Sequence, residues 1–321
     1  MKAKENSIFN LAELERNKIK RRQKDIYTRM VEELLLDKRV EYFETPITLQ
    51  SLNKLHFLNE LKLSPNELVL DIGCYKGDYS RFLAKKYKTH CLGIDVSTSC
   101  IEYSRKCDDC NNVYLVADAE NIPFKNNVFD CVLAFSVLEH VPDPDRCLAE
   151  VYRILKTGGK ILIHTPIKDD KYSLMWVLNK INPAKVKKEL EAIGHDYERL
   201  LNWYGLLSLV KNKGFHIIKK ERSGVFVQPF HDWYVVPFLI NKIYKPLRDL
   251  RFKLTKSRSL CLAEKEREEN FPEHSNHERG VFRKIYSASI MPVLKLLILF
   301  EKLVTSGKLG YCAYVLAIKK D

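Results

Sequence analysis

Apolar and polar positions change period along the chain, and the changes divide it. From Leu11 to Val40 single apolar residues (Leu11, Leu14, Ile19, Ile26, Met30, Leu34, Leu35) punctuate a charged background, which predicts one or two amphipathic helices. Ser64, Pro65 and Asn66 break the chain, and the run ELVLDI over Glu67–Ile72 then reads as a buried parallel strand ending at glycine. Strands and helices alternate from there. A helix is expected over Gly77–Lys86, a strand over His90–Asp95, and a helix over Ser97–Lys106 with Ser97 as its N-cap. Strands over Val113–Ala117 and Phe129–Phe135 come next. A helix over Pro144–Leu155 is expected to stop at Thr157, Gly158 and Gly159, before a strand over Lys160–Thr165. Further on, a helix over Asp196–Lys213, a strand from Gly214 to about Glu221 and a last strand over Leu309–Lys319 complete the pattern. Repeated βα units of this kind imply an α/β fold with a doubly wound, mostly parallel sheet.

This reading gives four segments: an N-terminal helical cap (1–61), an α/β core (62–222), a helical insertion rich in aromatic and basic residues (223–308), and a final core strand (309–321). Composition adds exclusions. The 321 residues are 45% hydrophobic and 30% charged, which excludes collagen-like, mucin-like and wholly disordered chains. Nine Cys are too few and too irregular for a disulfide-stapled scaffold. The N-terminus has no apolar stretch of a secretory signal, so a cytoplasmic location with reduced thiols is expected. The net charge of +13 is uneven: residues 1–61 carry +2, residues 62–166 carry −1 and residues 167–321 carry +12. A basic half beside a near-neutral half points to an anionic surface or ligand for the C-terminal part.

The sharpest local feature is the turn after the first strand, DIGCYKGD over Asp71–Asp78. Its glycines let backbone pass close to a ligand, and the following helix start offers free N–H donors. Asp95 ends the second strand, where a carboxylate can accept both hydroxyls of a ribose. Asp118 follows the third strand, where it can accept from an adenine amino group. Strand ends of an open parallel sheet are where such a ligand binds. The loop does not supply G-x-G-x-x-G, which argues against a nicotinamide site.

The strings VLDIGCYKGDYS, GIDVS, ADAENIPF, FDCVLAFSVLEHV and LAEVYRILKTGGKILIHTP resemble class I S-adenosylmethionine-dependent methyltransferases, especially the branch with ubiquinone/menaquinone-biosynthesis and other small-molecule enzymes. The resemblance runs in register over about Glu67–Pro166 and more loosely over Gly194–Phe215. It implies a Rossmann-like core and S-adenosyl-L-methionine as cofactor. Asp71, Gly73, Cys74 and Gly77 would shape the loop around the methionine part. Asp95 with Val96 would hold the ribose, Asp118 with Ala119 the adenine, and Ser136, Leu138, Glu139 and His140 would surround the sulfonium. Where the family's loop has its middle glycine this chain has Tyr75, a bulky ring expected to crowd the methionine-carboxylate pocket and weaken cofactor affinity; on this ground a non-catalytic cofactor-binding module is carried as an alternative reading.

The expected activity is O- or C-methylation of a small or lipophilic acceptor, with His140 as general base. His164, His195 and His231 are weaker candidates. Cys107 and Cys110 form a C-x-x-C, but no second ligand pair follows, so no metal site is expected. Cys74, Cys91 and Cys131 read as buried thiols. In the insertion, the aromatic stretch Phe226–Tyr244 precedes Lys245, Arg248, Arg251, Lys253, Lys256 and Arg258. With the apolar segment Ile285–Phe300, too short to span a bilayer, it suggests a substrate lid or an element lying on an anionic membrane. The acidic-polar loop Glu264–Glu278 reads as mobile. A nucleic-acid methyltransferase is the rival reading; no RNA-binding module and no Asn/Asp-Pro-Pro-Tyr motif supports it.

Overall fold

The computed structural model describes residues 16–29, 49–168, 173–192, 195–225, 227–230 and 309–320, with a few positions between 292 and 299. The Glu264–Glu278 loop, His231, the basic run from Lys245 to Arg258 and most of the 285–300 segment lie outside the described residues.

Among the described residues seven strands form one sheet: β1 (Leu68–Ile72), β2 (His90–Asp95), β3 (Val113–Val116), β4 (Phe129–Phe135), β5 (Leu155–Pro166), β6 (Phe215–Ser223) and β7 (Cys312–Lys319). The order is β3-β2-β1-β4-β5-β7-β6. β1 to β5 are parallel, and β7 runs antiparallel between β5 and β6. The order reverses between β1 and β4, which opens a crevice at their carboxyl ends.

Period-two alternation sends residues to both faces. Leu70, Ile72, Val132, Ala134, Ile161, Ile163 and Val315 pack on one side against α5 (Pro144–Ile154) and α8 (Trp203–Asn212). Val69, Cys91, Cys131, Leu133, Leu162 and Leu316 pack on the other against α2 (Leu49–Glu60) and α3 (Asp78–Tyr87). This two-sided cover explains why β1 and β4 read as continuous apolar runs. α5 faces the core with Cys147, Leu148, Val151 and Ile154, all 0% exposed; each large aliphatic among them contributes about 1.5–3 kcal/mol by burial. Its start is fixed by the Asp143 side chain, which accepts from the Arg146 N–H, with Pro144 in the first turn. Ser97 caps α4 (Thr98–Cys107) as expected. On the far face, Phe57 of α2 stacks on Tyr314 of β7 with centroids 4.1 Å apart.

Three expectations shift. α5 ends at Ile154, before the glycines; Gly158 (φ +76°) and Gly159 lie within a longer β5, beside a bulge against β4 between Phe129 and Cys131. The expected helix over Asp196–Lys213 is a short 3-10 turn, Tyr197–Arg199, then α8, because Asn202 takes an extended backbone and its side chain accepts from the Gly205 N–H at 2.6 Å. α6 (Leu174–Ile181) and α7 (Pro183–Ala192) were not singled out; Val186 and Leu190 of α7 pack with Leu178 and Tyr197 in a small satellite cluster that leaves only a weak stripe in the sequence.

Candidate active site

A cleft of about 300 Å³ opens at the carboxyl ends of β1, β2, β3 and β4, at the low end of the range for small-molecule sites. Gly73, Cys74, Asp95, Val96, Asp118, Ala119, Ser136 and His140 line it. Asp71, Gly77, Leu138 and Glu139 are not among its lining residues.

The loop after β1 turns through two left-handed glycines, Gly73 (φ +65°) and Gly77 (φ +72°). A Cβ on Gly73 would stand 2.7 Å from Val137 Cγ2, and one on Gly77 would stand 2.6 Å from the Tyr114 hydroxyl. Gly77 is therefore a packing contact. Asp71 is 1% exposed and accepts from the Ser80 hydroxyl at 2.9 Å, which ties β1 to α3. Burial pushes the Asp71 carboxyl up to about 7. Tyr75 also takes a left-handed backbone, φ +49°. Its ring forms part of the cleft wall, edge-on to Tyr27 at 5.8 Å. The cleft remains open beside it.

Asp95 accepts from the Ser97 N–H (2.8 Å) at one oxygen and the Tyr75 N–H (3.1 Å) at the other. Burial raises its pKa, against the lowering effect of these backbone bonds. Each oxygen keeps a further lone pair for a ligand hydroxyl. Asp118 accepts from the Glu120 N–H at 2.9 Å and pairs with Lys20 at 2.5 Å.

Lys20 belongs to a helix over residues 16–29 (α1), whose contacts reach the rim of the cleft at several points. Lys20 also pairs with Glu120 at 2.7 Å, and Arg16 with Asp143 at 3.2 Å. Burial opposes the charge on Lys20, but its bonds to Asp118 and Glu120 outweigh that and raise its pKa. Thr28 meets the Ser97 hydroxyl at 3.1 Å, and the Tyr27 hydroxyl lies 2.9 Å from His140 Nε2. Burial, reinforced by the charges of Glu139 and Asp95, pushes the Tyr27 pKa upward, so the phenol keeps its proton. Lys54 of α2 also lines the cleft, over the rings of Tyr79 (5.7 Å) and Phe135 (5.8 Å).

Behind His140, Glu139 is 3% exposed, and its Oε2 accepts from the Thr165 hydroxyl at 3.0 Å. Its Oε1 lies 3.8 Å from His195 Nε2, and the His195 and His140 rings stack at 4.9 Å. Burial raises Glu139 to about 7 and lowers His195 to about 4, so burial works against the charged form of each. His164 is 0% exposed, with Nδ1 3.3 Å from the Ser136 hydroxyl, and does not line the cleft. Burial, with Lys54 nearby, drops its pKa well below the usual histidine range. Cys74, Cys91 and Cys131 are buried free thiols, as expected.

Residues 70–163 match a family model described as a methyltransferase domain. This segment is thus similar to a methyltransferase domain, and the sheet that carries it has the class I methyltransferase fold. Relatives include phosphoethanolamine N-methyltransferase 1 of Zea mays, 30% identical over 180 residues, covering 53% of this chain and 32% of the relative. Cycloartenol-C-24-methyltransferase 1 of Oryza sativa is 29% identical over 51% of this chain and 48% of its own. The ubiquinone/menaquinone biosynthesis C-methyltransferase of Vibrio cholerae is 34% identical over 31% and 41%. The chain thus spans about a third to a half of the length of these curated relatives. In fold, it superposes on Haemonchus contortus phosphoethanolamine N-methyltransferase 2 in complex with S-adenosyl-L-methionine with a TM-score of 0.51, at 20% identity, over 84% of this chain and 52% of that one. Among the described residues no helix is long and apolar enough to cross a membrane.

Sequence reasoning missed the part that α1 plays in the site, and it named His195 as a weaker candidate without joining it to His140. Tyr27 and Lys20 carry no motif; they flank the apolar positions Ile19 and Ile26 on the inner side of α1, which in the sequence is no signal of function. His195 follows α7, far along the chain from His140, and no spacing rule joins them.

Proposed function

We propose that this chain transfers a methyl group from S-adenosylmethionine to a small-molecule acceptor bound in the same cleft. The reading rests on one observation above the others: Asp95 and Asp118, from consecutive strand ends, line one cleft with the bare backbone of Gly73. These residues fit the cofactor. The spare lone pairs of Asp95 suit a pair of ribose hydroxyls, and Asp118, bridged to α1 by Lys20, suits an adenine amino group. Gly73 and Cys74 would lie along the methionine part, with the start of α3 beyond them. Asp71, Gly77, Leu138 and Glu139 lie outside the lining. Bound S-adenosylmethionine supplies a methyl already activated by its sulfonium, so the protein's task is alignment and exclusion of water.

Tyr27 and His140 do this at the acceptor end. The phenol and imidazole, 2.9 Å apart, close α1 onto the loop after β4, and the imidazole is placed to accept a proton from an acceptor through the phenol or directly. Lys54, Tyr79 and Phe135 offer a cation beside two aromatic faces to the acceptor itself. The relatives named for phosphoethanolamine, cycloartenol and quinone biosynthesis support a small acceptor. Incubating the full chain with a labelled methyl donor and cell extract tests the reading. Label is expected in a small-molecule or lipid fraction; label confined to nucleic acid or protein, or no transfer at all, contradicts it.

We further propose that the protein works in the cytoplasm and touches an anionic membrane surface. Val293, Leu296, Leu297 and Leu299 are exposed apolar side chains on one segment, at the spacing of a helix face. The preceding basic run supplies the complementary charge. Co-sedimentation with phosphatidylserine vesicles at low salt is expected; no sedimentation removes this part.

A further inference from the structure

We infer that Glu139, His140 and His195 form a binding site for a divalent first-row metal ion of the zinc type. Each offers one ligand atom, and these atoms lie within 4.8 Å of one another. Two imidazoles and a carboxylate are a donor set that zinc accepts with one position left open.

The site has the features of a built one. Glu139 is 3% exposed, and Oε1 faces the histidines at 3.8 Å from His195 Nε2 with no hydrogen-bond partner. A buried carboxylate oxygen without a donor is costly, and a cation would satisfy it. Its other oxygen is fixed by Thr165, the outer-shell support that metal carboxylates need. His140 has its Nε2 engaged by Tyr27, so ligation through Nδ1 keeps that contact and fixes the ring's orientation. His195 is anchored by its own backbone N–H, which donates to the Leu190 carbonyl at 2.9 Å, and its side chain is 18% exposed, which gives an ion a way in. Metal–donor bonds of about 2.0–2.2 Å require the ligand atoms to draw together by about 1 Å, within reach of side-chain adjustment.

Metal at Nδ1 has a consequence for the neighbouring site. The proton of a neutral His140 must then sit on Nε2 and be donated toward the Tyr27 oxygen. Metal loading would therefore switch His140 from proton acceptor to donor at that contact. The inference borrows only the location of His140 from the methyl-transfer reading and stands without it.

The test is metal binding by the full chain after chelator treatment. Co²⁺ titration is expected to give one equivalent with the intense visible absorption of a four- or five-coordinate ion, and Zn²⁺ to displace it. His195→Ala and Glu139→Gln should each weaken binding by at least about tenfold. The double variant His56→Ala/His216→Ala, at two exposed histidines, should leave it unchanged. Zn²⁺ should raise the thermal midpoint of the wild type and not that of His195→Ala, which also shows that the variant folds. Absence of a stoichiometric equivalent, or binding that survives His195→Ala, or binding lost in the surface double variant, overturns the inference. S-adenosylhomocysteine calorimetry on the same samples separates the two accounts: cofactor binding without metal binding sinks only this one.

Discussion

The two ends of the cleft are built differently. The end proposed for the cofactor comes from consecutive strand ends and the short turns after them, so its residues are set by backbone geometry: Gly73 by a left-handed turn, and Asp95 by two backbone N–H donors. The part proposed for the acceptor is assembled from side chains on α1, α2, the loop after β4 and the segment after α7, held by pairs such as Tyr27–His140 and His140–His195. A site built on backbone tolerates few substitutions. One built on side chains brought together from distant parts of the chain can change partners without disturbing the sheet. The difference accords with relatives that are all named methyltransferases but differ in the compound the name carries.

The contrast can be broken most severely at Gly73. Gly73→Ala places a Cβ 2.7 Å from Val137 in a left-handed backbone. S-adenosylhomocysteine affinity should fall more than about 100-fold, with about 1–3 kcal/mol of stability lost. A binding isotherm and a urea melt read both.

Asp71→Asn separates support from contact. Because the buried carboxyl titrates near 7 in the folded protein against an ordinary value of 3.8, its ionisation destabilises the fold. The stability present below the ordinary value is lost as pH rises through about 7. Relative to wild type, Asp71→Asn should therefore gain stability progressively between pH 4 and pH 7, by on the order of 1–4 kcal/mol, and level off above. A flat difference across that range would show that Asp71 is not held as the geometry implies.

Tyr27→Phe acts at the other end. It keeps the ring against Tyr75 and removes the hydroxyl at His140. The turnover rate should drop about tenfold while S-adenosylhomocysteine affinity moves less than about twofold, since only the acceptor end is touched. Equal losses in both would merge the two ends.

Tyr75→Gly should have the smallest effect. It relieves a left-handed non-glycine backbone worth about 1 kcal/mol but gives up the contact with Tyr27. Cofactor affinity should change by no more than about threefold.

How much was readable follows the same division. β1, β2 and β4 announce themselves because a strand buried on both faces must be a continuous apolar run, and the turn after β1 because its glycines sit where the backbone is left-handed. Asp95 and Asp118 follow from position at strand ends. The capping Asn202 was visible as a residue type but not as a break, since apolar spacing continued across it. The Gly158–Gly159 pair misled, because glycines that commonly end helices here shape a bulge early in β5. Tyr27, Lys54 and His195 were not legible as a set: each is unremarkable in its own segment, and only tertiary packing brings them to one place.

The central claim is that Asp95 helps hold an adenosyl ligand in the cleft beside Gly73. Titration calorimetry of S-adenosylhomocysteine into wild type and Asp95→Ala tests it directly. One saturable site in the wild type, weakened at least about 100-fold in Asp95→Ala, is the predicted result. Undiminished binding in the variant, or none in the wild type, would contradict it.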